Sequence, residues 1–152
     1  MTGQKQVAYI SSEHFLATKT IQIIEDIVGA EVTYLQDYDE ARVLLEQEFD
    51  AVVLVPRDLN ARDYHVPELE DIDPKEPHPD DIGRKIVQHL VRKEGSPNQG
   101  TYVLVRLEGE KYTPQEYLDA GASKVFRFLS PEDTPETIVS TLEKAISAES
   151  ND

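Results

Sequence analysis

Asp50-Ala51-Val52-Val53-Leu54-Val55-Pro56 is the stretch that decides the fold. A short unbroken apolar run of this kind is typical of a strand that is buried on both faces of a parallel sheet. Pro56 has no amide hydrogen to donate, so we expect the strand to end there. In open sheets of this class, ligands bind just beyond the carboxyl ends of the strands. Here that position holds Val55 and Pro56, whose side chains offer no acid, nucleophile or metal ligand.

The composition is that of an acidic globular protein. The chain has 152 residues, of which 39% are hydrophobic, and 30 acidic residues against 15 basic ones give a net charge of −15. The length fits a single domain over residues 1–152. Such a surface repels phosphate backbones, so we expect no nucleic-acid partner. Solubility explains the acidic surplus most simply, and a binding face for a basic partner is the alternative.

The sequence lacks cysteine, a long apolar run and the pattern of a secretory signal. It has no cysteine, which excludes disulfides, thiolate catalysis and cysteine-based metal sites. No run approaches the roughly 18 apolar residues that span a bilayer, and residues 1–6 lack the apolar stretch of a secretory signal. We therefore expect a cytoplasmic protein without a membrane partner.

The remaining sequence alternates between strand and helix patterns. Strands are predicted at 7–10, 31–35, 51–55, 102–105 and 124–129. Helices are predicted at 17–28, 40–48, about 81–93 and 114–120, and residues 130–133 are expected to open the last one. Gly29 is the expected stop of the first helix, and the expected caps are Asp80 or Asp81 for the third and Thr113, before Pro114, for the fourth. Five strands alternating with helices predict a parallel sheet covered on both faces, a three-layer sandwich. Right-handed crossovers favour the flavodoxin-like strand order 2-1-3-4-5.

Residues 57–79 interrupt this alternation with an acidic, proline-rich loop insertion. Four prolines between 67 and 79 forbid a continuous helix or a central strand. His65 and His78 share this region with several carboxylates, which could form a metal site, and the alternative is a solvated loop. The spacing matches no compact metal motif, and we expect no metal there.

Glu116-Tyr117-Leu118-Asp119-Ala120-Gly121-Ala122-Ser123-Lys124-Val125 is similar to the Ala-Gly-Ala passage into the last strand of the receiver domains of two-component response regulators. Residues 38–45 and 49–54 resemble the second helix and third strand of that family. The resemblance covers nearly the whole chain apart from 57–79. It implies the flavodoxin-like fold and a role in signalling.

The phosphotransfer residues of that family do not carry over. The acidic pair that holds Mg²⁺ after the first strand falls on Ser11 and Ser12, with only Glu13 acidic. The phosphoacceptor falls on Val55, whose side chain cannot accept a phosphoryl group. Because Mg²⁺ prefers carboxylate oxygens, the resemblance implies an atypical receiver, a pseudo-receiver, which is not an enzyme and needs no cofactor.

Three further positions of this degenerate phosphorylation site are Asp58, Arg106 and Phe128. Asp58 is a displaced acceptor if the register is shifted, and otherwise a carboxylate in a turn. Arg106 stands where the family has a hydroxyl residue; it could pair with Glu13 or Asp58 and replace the charge of the metal ion and lysine, or it is a solvated arginine. Phe128 stands where the family has that lysine.

Two surfaces are predicted to contact other signalling proteins. The first is the acidic insertion, through Glu68, Glu70, Asp71 and Asp73. The second is the face of the fourth helix, fifth strand and last helix, around Tyr112, Tyr117 and Phe126, where the resemblance makes a homodimer plausible. Two alternatives to this non-catalytic module remain open. They are a phosphoaccepting receiver that uses Asp58, and a flavodoxin-like protein that binds a small ligand.

Overall fold

The apolar run at 51–55 lies in the middle of a parallel sheet. The computed structural model describes residues 4–107, 111–127 and 130–150. Its strands in this part of the chain are β1 (Gln6–Ile10), β2 (Glu31–Leu35), β3 (Ala51–Leu54), β4 (Tyr102–Leu107) and β5 (Lys124–Arg127). They pair in the order β2-β1-β3-β4-β5, all parallel. The predicted flavodoxin-like fold and strand order are confirmed.

Helices cover both faces of the sheet. They are α1 (His14–Ile23), α2 (Tyr38–Ala41), α3 (Pro79–Ile86), α4 (Pro114–Ala120) and α5 (Pro135–Ser150). One π-helical turn extends α1 through Ile24–Val28, and another extends α3 through Val87–Val91. A 3₁₀ turn, Arg42–Leu45, continues α2.

Side chains on β3 alternate between the two halves of the core. Val52 and Leu54 pack with the apolar residues of α2, α3 and α4. Ala51, Val53 and Val55 pack with those of α1 and α5. All five are at most 4% exposed, so the strand is buried on both faces as its unbroken apolar run predicts.

Several predicted helix boundaries were wrong. α1 begins at His14 rather than 17, because the amide of Ala17 already donates to the carbonyl of Glu13 over 2.9 Å. Residues 130–133 form a turn, and α5 begins later, where the hydroxyl of Thr134 accepts from the amide of Thr137 over 3.1 Å. The stop at Gly29 is correct, with φ of 76°.

The predicted cap of α4 is confirmed, whereas the predicted cap of α3 was wrong. For α4, Thr113 forms the predicted cap, in a reciprocal capping box with Glu116. For α3, the predicted cap was Asp80 or Asp81, but the ring of His78 accepts from the amide of Asp80 over 3.1 Å. Pro79 supplies the first helical residue, which places the cap at His78, two residues before Asp80.

The insertion at 57–79 packs onto the domain rather than extending into solvent. Its only described helical element is a 3₁₀ turn at Pro67–Leu69. Leu59, Leu69 and Ile72 are at most 7% exposed and join the core on the side of α2 and α3. The expectation of a solvated loop is therefore corrected for these apolar residues, because burying them stabilises the segment.

Glu68 anchors this insertion to α2. Its carboxylate accepts from the Tyr38 hydroxyl over 2.7 Å and from Arg42 over 3.2 Å. Burial raises the pKa of the Glu68 carboxyl, but these bonds outweigh it and hold the pKa below its usual value of 4.5. The ionised form of Glu68 is therefore the one that stabilises the fold.

A buried amide, Asn98, explains why α2 ends early. Its Nδ2 donates to the carbonyls of Leu44 and Gln47 over 2.7 and 2.8 Å. Its Oδ1 accepts from the amide of Phe49 over 2.8 Å and from the Thr101 hydroxyl over 3.1 Å. These bonds hold the carbonyls of Leu44 and Gln47, which a longer helix would use, at the turn before β4. The helix therefore does not extend to Glu48, contrary to the prediction.

We predict that Asn98→Ala lowers the free energy of unfolding by roughly 3 kcal/mol, because it leaves several buried backbone groups without partners. Chemical denaturation measures the change. The control is Gln99→Ala, at an exposed neighbour, which should change stability by about 0.5 kcal/mol or less. Equal effects of both variants would contradict this role for Asn98.

The Glu68 anchor predicts a dependence of stability on pH. Because the folded-state pKa is depressed, its contribution is present above about pH 4.5 and is lost as pH falls through the folded-state pKa. Glu68→Gln should therefore flatten the loss of stability below that pH, as measured by denaturation at a series of pH values. Glu70→Gln, at an exposed carboxylate of the same insertion, should keep the wild-type slope. A wild-type slope in Glu68→Gln would refute the anchor.

Candidate functional site

Val55 occupies the tip of β3 at the carboxyl edge of the sheet. Its amide donates to the carbonyl of Ile10 over 2.8 Å, which continues the ladder between β3 and β1 one residue beyond the strand. The side chain is 4% exposed and packs in the apolar cluster on the α1 and α5 side. The position that the resemblance gives to a phosphoacceptor is thus part of the hydrophobic core.

The residues after β1 close the same edge with hydrogen bonds. Ser11 is 1% exposed, and its hydroxyl accepts from the amide of Glu13 over 3.0 Å. The hydroxyl of Ser12 donates to the backbone carbonyl of Arg57 over 3.1 Å. These contacts tie the start of α1 to the turn that follows β3.

Arg57 supplies the positive charge at this edge, and sequence reasoning missed it. Its Nε lies 3.6 Å from a carboxylate oxygen of Glu13, and the two side chains are 40% and 29% exposed. An ion pair this exposed contributes little stability, but it neutralises the one acidic residue next to β1. Among the described residues that follow β1, the oxygen donors are the paired carboxylate of Glu13 and two serine hydroxyls, a set that does not fit a magnesium ion, which requires several free oxygen ligands.

Asp58 lies outside the ladder, in an exposed turn. The amide of Leu59 donates to the carbonyl of Pro56 over 2.8 Å, and Asp58 has a left-handed φ of 57°. Aspartate tolerates this conformation better than most residues because its short side chain can bond locally. The backbone that would hold an acceptor rigidly at the strand tip therefore stops before Asp58.

Arg106 forms the strongest charge pair of the described site. Its Nε lies 2.6 Å from Oδ1 of Asp133 and its Nη2 lies 3.1 Å from Oδ2, a bidentate arrangement. The side chains of Arg106 and Asp133 are 13% and 1% exposed. Burial lowers the pKa of Arg106, but Asp133 and the Tyr9 hydroxyl outweigh it, so the pKa is raised and the guanidinium stays charged.

The predicted partners of Arg106 were Glu13 or Asp58, and that prediction was wrong. Arg106 pairs in register with Phe126 of β5, whose ring belongs to the core on the α1 and α5 side. The guanidinium consequently reaches the loop before α5, where Asp133 lies. The solvated alternative was also wrong. Phe128, the remaining member of the predicted site, lies outside the described residues.

Two of the three residues predicted for the contact surface on α4 and β5 are buried. Tyr117 and Phe126 are 0% and 2% exposed, so neither ring is available to a partner. The hydroxyl of Tyr117 donates to the carbonyl of Asp80 over 2.6 Å, and burial raises the pKa of this phenol well above its usual value. Leu118, beside it, is 37% exposed. A partner would meet Leu118 rather than Tyr117.

The carboxylates of the insertion fall into two groups. Glu68 and Asp71 bind α2 and α3, since Asp71 lies 3.1 Å from the Nζ of Lys85. Glu70 and Asp73 are exposed. Among the described residues, no group of three or more histidines and carboxylates is arranged to hold a metal ion. In the same part of the chain, no helix combines the length and apolar character needed to cross a membrane.

Comparisons with known proteins place the fold. No protein-family model matches the sequence, and no curated protein matches it significantly. Among solved structures, a CheY-like response regulator receiver domain protein from Methanospirillum hungatei superposes with a TM-score of 0.67 at 13% identity, covering 98% of each chain. Chemotaxis protein CheY4 from Vibrio cholerae superposes with a TM-score of 0.64 at 18% identity, covering 94% of this chain and 99% of its own.

A third similar structure is the receiver domain of a sensor histidine kinase from Pseudomonas aeruginosa. It has a TM-score of 0.64 at 14% identity and covers 95% of this chain and 99% of its own. That structure holds a magnesium ion in its active-site cleft. At these identities the likeness establishes a receiver-like fold for the present chain.

The Arg106–Asp133 pair gives a prediction for stability. Asp133→Asn should lower the free energy of unfolding by roughly 2–3 kcal/mol, because it removes the bidentate counter-charge from a largely buried guanidinium. Denaturant titration measures the loss. Glu132→Gln makes the same chemical change at an exposed neighbour and should be near neutral. A near-neutral Asp133→Asn would show that the pair does not stabilise this edge.

Proposed function

We propose that the protein is a signalling module on a receiver-like fold, and that it acts by protein–protein contact without an aspartyl phosphate. The main support for this proposal is the position of Val55, which the ladder holds at the tip of β3 and which is 4% exposed. Phosphoryl transfer to a protein needs a nucleophilic side chain at a rigid, accessible position. A buried valine offers neither the nucleophile nor the access.

The surrounding contacts support a site that keeps one conformation without a ligand. Ser12 binds the carbonyl of Arg57, Arg57 pairs with Glu13, and Arg106 pairs with Asp133. In the described part of this edge, the charges of Arg57 and Arg106 are each met by a carboxylate of the chain itself. A divalent ion or phosphoryl group would have to displace these partners before it could bind.

Other signalling proteins are the proposed partners, in keeping with the fold. Two surfaces are suited to such contacts. One is the exposed part of the insertion, where Glu70 and Asp73 would attract a basic segment. The other surrounds Leu118 on α4, together with the exposed Lys124 and Arg127 of β5, and is the surface through which a homodimer would form.

A second candidate function is phosphorylation at Asp58. Its exposure in the turn three residues beyond Val55 favours this alternative. The turn position argues against it, because the backbone there is not fixed by the sheet. The two candidates differ in a single chemical product, an acyl phosphate on Asp58.

We predict that incubation with acetyl phosphate and Mg²⁺ produces no phosphorylated protein, as read from the intact mass. A receiver domain with an aspartate acceptor, treated in parallel, should gain one phosphoryl group and so validates the reagents. Stoichiometric gain by the present protein would contradict the proposal. If the gain vanished in Asp58→Asn and persisted in Asp63→Asn, a second exposed aspartate, the displaced acceptor would be established instead.

A further inference from the structure

A cleft between α3 and α4 lies outside the site described above. Its volume is about 230 Å³. The residues that line it are Arg84, Gln88, Tyr112, Glu116, Asp119 and Ala120. Pockets for drug-sized ligands usually exceed about 300 Å³, so an occupant of this cleft must be smaller. None of the residues at the strand tips is part of the lining.

Arg84 is the member of the cleft with unmet hydrogen-bonding capacity. Its guanidinium stacks over the ring of Tyr112, 4.6 Å from the ring centroid. Its Nε is buried, and no hydrogen-bond acceptor meets it. Within the described part of the chain, the structure gives Arg84 no carboxylate partner either. A guanidinium offers five N–H donors, so Arg84 keeps donors for a ligand's acceptor in the cleft.

Two carboxylates stand on the opposite wall, and each is only partly used. Glu116 accepts through Oε1 from the backbone and hydroxyl of Thr113, both over 3.2 Å. Asp119 accepts through Oδ1 from the side-chain Nε2 of Gln115 over 2.9 Å. Among the described residues neither is paired with a cation, so each retains an oxygen and its full charge.

The cleft walls are fixed before any ligand arrives. The hydroxyl of Tyr112 donates to Asp81 over 2.5 Å, and the Nζ of Lys111 lies 2.6 Å from the other oxygen of that carboxylate. Tyr117 joins α4 to α3 through the carbonyl of Asp80. The Tyr112 ring and the guanidinium stacked on it therefore keep a defined position, and such pre-organisation favours binding.

We propose that this cleft binds a small dipolar molecule with both a carboxylate and an ammonium group, of the class of free α-amino acids. Its carboxylate would bind Arg84, and its ammonium group would face Glu116 and Asp119. The Tyr112 ring would contact the apolar part.

The charge pattern favours this class over simpler ions. A plain anion meets two carboxylates in a chain of net charge −15, and a plain cation meets Arg84. Only a molecule carrying both charges satisfies both walls. This site does not depend on the proposed signalling role, and it gives the domain a route for a small-molecule input that is separate from the strand tips.

The test is a titration of the full chain, labelled with ¹⁵N and followed by amide chemical shifts. The probes are L-leucine, L-glutamine and L-phenylalanine, with acetate and methylammonium chloride as the two separated halves. At least one amino acid should give saturable shifts at α3 and α4, with a dissociation constant about tenfold or more below that of either half.

Variants test whether Arg84 contributes to the binding affinity. Arg84→Gln should weaken binding about tenfold or more, while its amide spectrum away from the cleft stays unchanged. Asp119→Asn should weaken binding of the amino acid and leave that of acetate no weaker. Arg127→Gln, at an exposed arginine of β5, should bind as the wild type does.

Three results would overturn the proposal. They are the absence of saturable shifts with every amino acid, acetate binding as tightly as the best amino acid, and wild-type affinity in Arg84→Gln. None of them bears on phosphorylation, which the acetyl phosphate experiment reads separately.

Discussion

A strand buried on both faces must be apolar along its length, and in this protein that constraint extends one residue past the strand. The ladder carries Val55 at the tip of β3, and its side chain joins the core on the α1 and α5 side. The carboxyl edge of a parallel sheet is where folds of this kind place their chemistry. Here the central position holds a core residue, so apolar packing reaches the edge.

Two ion pairs lie within the described part of that edge. Arg106 and Asp133 form a bidentate pair that joins the end of β4 to the loop before α5, and Asp133 is almost completely buried. Arg57 meets Glu13 more loosely, in contact with water. Buried pairs are costly to break because the surviving charge stays desolvated. The Arg106–Asp133 contact therefore stabilises one arrangement of this edge more strongly than the Arg57–Glu13 contact does.

The sequence predicted the structural features that depend on residues close together in the chain. The apolar run of β3, the stop at Gly29 and the capping box at Thr113 follow from backbone chemistry and periodicity, and the sheet order follows from the alternation of elements. Partners distant in sequence were not predictable. Asn98 binds residues about fifty positions earlier, and Arg106 finds Asp133 across a strand and a turn. Tyr117 was predicted to lie on a contact surface, yet its ring is buried and its hydroxyl reaches α3.

We propose that the described strand tips hold one charge-paired state that neither a divalent ion nor a phosphoryl group can enter. The most direct measurement is the amide chemical shifts of Ser12, Glu13, Val55 and Arg57 during titration with Mg²⁺ and then beryllofluoride, a mimic of a phosphoryl group. The account predicts no saturable shift at these four amides. A saturable shift that requires both reagents would contradict it, because it would show an acceptor and a metal site at this edge.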